Sequence, residues 1–65
     1  MRRLAAQGKA RELRRERRCS LRELAVVIGT SAATLSRWET GLASPRILSA
    51  LRWADALEIA PERVA

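Results

Sequence analysis

The chemistry available to this chain is almost entirely that of arginine. Its 65 residues include 13 Lys and Arg against 7 Asp and Glu, for a net charge of +6, with no His and a single Cys. An activated nucleophile needs a base beside it, and a zinc site needs several His or Cys ligands. Neither can be assembled from this inventory, so no catalytic residue, metal or cofactor is expected, and no small-molecule ligand. Cys19 has no second thiol to pair with, which fits a reducing compartment, and it reads as a small core residue. What remains is a cationic surface. Guanidinium groups bind phosphate oxygens, and they can grip O6 and N7 of guanine through two parallel hydrogen bonds. The charge balance therefore points to a polyanionic partner.

Two short amphipathic helices between Ser20 and Gly41 are expected to aim the polar groups. Ser20 and Glu23 make a Ser-x-x-Glu capping box. Leu24, Ala25 and Ile28 then share one face at helical spacing. Gly29 suits the left-handed position just past a helix end, and Thr30 or Ser31 can cap the second helix. Leu35 and Trp38 point that helix inward, and Gly41 closes it. Two helices joined by so short a turn must cross steeply, which is the helix-turn-helix shape. The second helix exposes Ala32, Ala33, Thr34, Ser36 and Arg37.

The rest of the chain supports this pair. A preceding helix is expected from Lys9 to Arg18, with Ala10 and Leu13 inward and the stem of Arg17 extending that face. It crowds Arg11, Arg14, Arg15, Arg17 and Arg18, and same-sign neighbours at i,i+4 repel. Such crowding suggests an anion in use. After the pair, Ser44 can cap and Pro45 can open a helix running to Leu57. Its buried stripe is expected to be Ile47, Ala50, Leu51, Ala54 and Leu57. Trp38 and Trp53 fill the core. Pro61 opens a last short helix with Val64 inward, and residues 1–8 form either a basic arm or a frayed end. The expectation is an all-α, compact bundle of four to five helices in one domain, 1–65, with its helix-turn-helix core at 20–41. No stretch approaches the ~20 apolar residues of a membrane span, and no secretory leader is evident, which places the chain in the cytoplasm.

The motif set resembles the helix-turn-helix family of phage repressors and Cro proteins, the xenobiotic-response-element type, which is lambda-repressor-like. The residues that carry the resemblance are Ser20, Leu24-Ala25, Gly29-Thr30-Ser31, Thr34-Leu35-Ser36-Arg37-Trp38-Glu39, Gly41 and Pro45. It extends from about Gly8 to Val64. It implies a double-stranded-DNA-binding transcriptional regulator, a repressor of phage, plasmid or bacterial origin, acting at the nucleoid. Its recognition helix, 32–40, would lie in the major groove. By position, Ala32, Ala33, Ser36 and Arg37 would face bases, Ser31 and Thr34 phosphates. Arg22 would add to a phosphate held at the amides of the Leu21 helix, and Arg46 would meet the sugar-phosphate backbone. Arg14 and Glu39 would form a partly buried ion pair. Arg18, the last residue of the expected first helix, stands where the resemblance implies a glycine, so it is either strained or forces a different turn. The resemblance also implies a homodimer, formed in solution or only on DNA, with Ile59, Val64 and Leu48 as candidate contacts.

The chain departs from the family pattern at Leu21, Val26, Val27, Leu42 and Leu48, which are apolar where relatives are usually polar. This motivates an alternative, a protein-interaction module of the same fold, antitoxin- or coactivator-like, using a patch around Val26, Val27 and Leu21. Ala32 and Ala33 replace the usual long polar base readers. They can pack on thymine methyls or simply allow close approach.

Overall fold

A computed structural model of the chain describes residues 8–58. The expected arm before Gly8, the helix after Pro61, and Ile59 and Val64 lie outside those residues. Four helices follow one another: α1 (Lys9–Glu16), α2 (Leu21–Ile28), α3 (Ala32–Glu39) and α4 (Ile47–Ala56), with no strand among the described residues. No helix among them is long and apolar enough to cross a membrane.

Local chemistry sets each boundary. Ser20 accepts from the Glu23 amide at 3.0 Å, and Glu23 accepts from the Ser20 amide at 3.3 Å, so the capping box opens α2. Gly29 ends it at φ 90°, a left-handed conformation that a Cβ would strain. Ser31 caps α3 by accepting from the Thr34 amide at 3.1 Å. At the far end Gly41 takes φ 78°, and the amides of Leu42 and Gly41 return to the carbonyls of Arg37 and Trp38. That double return is the Schellman closure.

The same closure ends α1, but on an arginine. Arg18 adopts φ 51°, its amide bonds to the Arg15 carbonyl at 2.9 Å, and the Cys19 amide bonds to the Arg14 carbonyl at 3.2 Å. A left-handed residue cannot continue a right-handed helix, so α1 stops at Glu16 and not at Arg18. Arg18 thus accepts strain and leaves the glycine-type turn intact.

The core joins Ala10 of α1, Leu24, Ala25 and Ile28 of α2, Leu35 and Trp38 of α3, and Trp53, Ala54 and Leu57 at α4. Helix α2 packs against both α3 and α4. The rings of Trp38 and Trp53 meet with centroids 5.7 Å apart, tilted by 40°. Such aromatic pairs add about 0.5–1.5 kcal/mol beyond area burial. Leu13, Cys19 and Ala43 pack against this cluster from its edge.

Three expectations about packing are corrected. Helix α4 starts at Ile47, with Arg46 at its N-cap in extended conformation and making no side-chain cap. Ala43 is held against the core, so Ser44 to Arg46 span the gap to α4 instead of beginning it. Ile47 and Leu51 are exposed, at 80% and 46%, because the face that meets the core is Ala50, Trp53, Ala54 and Leu57. That set has i, i+3, i+4, i+7 spacing, and Ile47 and Leu51 fall on its flank. Finally, Leu21 packs on the core and does not join Val26 and Val27 outside. It continues the α2 stripe of Leu24, Ala25 and Ile28 one turn earlier. The guanidinium of Arg17 reaches Glu58 at 3.3 Å, past the end of α4.

Candidate nucleic-acid interface

Helix α3 is held at both ends and along its inner face. Leu35, Trp38 and Glu39 are buried, so Ala33 and Arg37 are left pointing away from the core. Both are exposed, and no described carboxylate lies within ion-pair distance of Arg37. Ser36 and Ala32 sit half-buried on one flank, Ala32 against the core. Of the four base-facing candidates, Ala33 and Arg37 are therefore the most outward. Thr34 is half-buried on the other flank.

Ser31 and Thr34 are already engaged with each other. The Ser31 hydroxyl donates to Thr34 Oγ1 at 2.9 Å while accepting from the Thr34 amide. They cap the helix first, and any phosphate contact must be added to that role. Thr40, one turn beyond Ser36, donates its hydroxyl to the carbonyls of Ser36 and Arg37.

Arg14 fixes the far end of α3 to α1. Its Nε donates to Glu39 Oε2 at 2.7 Å and its Nη2 to Glu39 Oε1 at 3.2 Å, a bidentate fork. Its Nη1 donates to the Cys19 carbonyl at 3.0 Å, in the turn before α2. The two side chains retain only 11% and 3% exposure. One guanidinium thus ties α1, the entry to α2 and the exit of α3 together. It is occupied with protein and sets the angle at which α3 is presented.

Arg22 in the first turn of α2 and Arg46 before α4 are exposed and have no carboxylate partner among the described residues. The same holds for Arg11, Arg15, Arg18 and Arg52. No group of His, Cys, Asp or Glu among the described residues is arranged to hold a metal. The surface of these four helices thus carries several guanidiniums that no described carboxylate neutralises.

A family model for helix-turn-helix domains, of the Cro and phage-repressor type, matches residues 11–64. The chain belongs to this family. Its members are DNA-binding regulators of transcription, and their pattern fits what α2 and α3 show here. No curated protein and no solved structure gives a significant match to the chain. Within the helix-turn-helix unit, sequence reasoning passed over how completely Ser31, Thr34 and Thr40 are used in capping. The Ser-x-x-Thr spacing at 31–34 was the available signal for the first two.

Proposed function

We propose that residues 1–65 act as one DNA-binding unit that represses transcription by occupying an operator. Helix α3 enters the major groove, and Arg37 is the principal base reader, with Ser36 beside it. Ala33, and Ala32 at the flank, allow the close approach that larger side chains would prevent. Ser31, Thr34, Arg22 and Arg46 meet the backbone on either side. The unit works as a homodimer on two half-sites, in the cytoplasm and at the nucleoid, without cofactor or small-molecule ligand. The observation that carries this reading is the exposed, unpaired Arg37 on the outer face of a helix capped and anchored at both ends.

Titration of a randomised duplex pool, with sequencing of the bound fraction, tests it. An enriched palindrome containing guanine, lost in Arg37→Ala, is the expected result. One bidentate Arg–guanine contact gives about 1–3 kcal/mol of discrimination. Tight binding with no enriched sequence would reject operator recognition.

A second reading has one observation in its favour. Val26 and Val27 are 76% and 69% exposed on α2. In this reading they contact another protein, now without Leu21. The double change Val26→Asp, Val27→Lys should then abolish a protein contact and spare DNA binding. Loss of DNA binding in that folded variant would reject the separation.

A further inference from the structure

We propose that Arg18, with Arg11 and Arg15, forms a phosphate-binding flank that extends the DNA contact of α3 along the duplex. The proposal rests on the DNA reading above. It starts from the way α1 divides its charges. At ~100° per residue, Arg14 lies about 40° from Ala10, Arg11 about 100° and Arg15 about 140°. Glu12, Glu16 and Lys9 fall at roughly 200–260° on the opposite side. Lys9 and Glu12 pair with each other at 3.5 Å, and Arg17 takes Glu58. No described carboxylate lies within ion-pair reach of Arg11, Arg15 or Arg18, and all three are exposed.

The side of α1 on which this flank rises is fixed by Arg14. Its guanidinium leaves α1 between the core and the Arg11–Arg15 row and closes on Glu39, the last residue of α3. By helical geometry Arg11 and Arg15 follow Arg14 around the same side of α1, while Lys9, Glu12 and Glu16 fall on the other side. Arg18 follows just past the helix end and is exposed like Arg11 and Arg15. It does so at φ 51°, where glycine would be relaxed and an arginine is strained. The three guanidiniums also repel one another. An external anion relieves that repulsion. A second copy of this chain, itself at net charge +6, does not. A row of phosphates beside the groove occupied by α3 does.

The experiment compares wild type, Arg18→Gly, Arg18→Lys and the triple Arg11→Gln, Arg15→Gln, Arg18→Gln. Binding to a randomised duplex is measured across a salt series, and melting is followed separately. Arg18→Gly should melt roughly 4–8 °C higher, since it removes left-handed strain from a small domain. Its log K against log salt should nonetheless flatten by about 0.9, the signature of one lost phosphate contact. Weaker binding by a more stable protein cannot be unfolding. Arg18→Lys should keep the wild-type slope, and the triple variant should lose roughly 0.9 per contact removed. The base preference of the bound pool should not change in any of them.

Unchanged affinity and slope in both Arg18→Gly and the triple variant would overturn the proposal and leave the flank as solvated charge or a contact for an acidic protein. Wild type that binds no duplex at low salt would overturn the DNA reading itself. The two failures are distinguished by the wild-type curve alone.

Discussion

Arg14 shows how one side chain can decide what the neighbouring ones are free to do. It spends its fork on Glu39 and its remaining amino group on the Cys19 carbonyl, all in a site with little solvent. A buried pair of this kind contributes little compared with well-packed apolar residues, but breaking one half strands a charge. Glu39→Gln should therefore cost about 3–5 kcal/mol, a large part of the ~5–15 kcal/mol that holds a domain together. Denaturant unfolding checks it. Arg37→Ala, two residues earlier on the outer face, should leave the midpoint within about 0.5 kcal/mol of wild type, as exposed substitutions do. Equal losses at both positions would mean that Arg37 is structural too. The pairing of Arg14 with Glu39 could be anticipated only through family resemblance. Nothing in composition or spacing links residues that far apart in the chain.

Among the elements, the boundaries that follow from local chemistry were readable, and those that depend on packing were not. The Ser20–Glu23 box, Gly29, Ser31 and Gly41 each satisfy backbone groups within a few residues, so their roles are written where they act. Helix α4 is different. Ile47 and Leu51 have the right residue types for a core and the right spacing relative to each other. A more compact stripe, Ala50, Trp53, Ala54 and Leu57, meets the core instead, with the large Trp53 ring fully buried in it. Hydropathy alone ranks isoleucine above alanine and so selects the wrong face. This gives a direct test. Leu57→Ala should cost about 2–5 kcal/mol, the usual range for a buried leucine. Ile47→Ala should change stability by less than about 0.5 kcal/mol, as for other exposed positions. A comparable loss at Ile47 would place it in the core after all. The end of α1 lies between these cases. The sequence marks Arg18 as the place of the turn, but its left-handed backbone closes the helix earlier, at Glu16.

At the scale of the whole molecule, charge and apolar exposure act in opposite directions on assembly. Two copies at net charge +6 repel each other in free solution. The exposed apolar face of α4, Ile47, Leu48 and Leu51, favours association but is small. Three side chains cannot approach the ~1,200–2,000 Å² typical of a stable interface. The free chain should therefore sediment as a monomer at low salt. Bound DNA removes the repulsion by neutralising the arginines, so two copies should assemble on a duplex at concentrations where neither associates alone. Salt then separates the two terms. Raising it screens the repulsion between free copies and strengthens any self-association, while it weakens DNA binding through lost counterion release. Sedimentation across a salt series, with and without a duplex, should show these trends moving in opposite senses. A free dimer already complete at low salt would contradict this balance, and would require an interface larger than the exposed face of α4 provides.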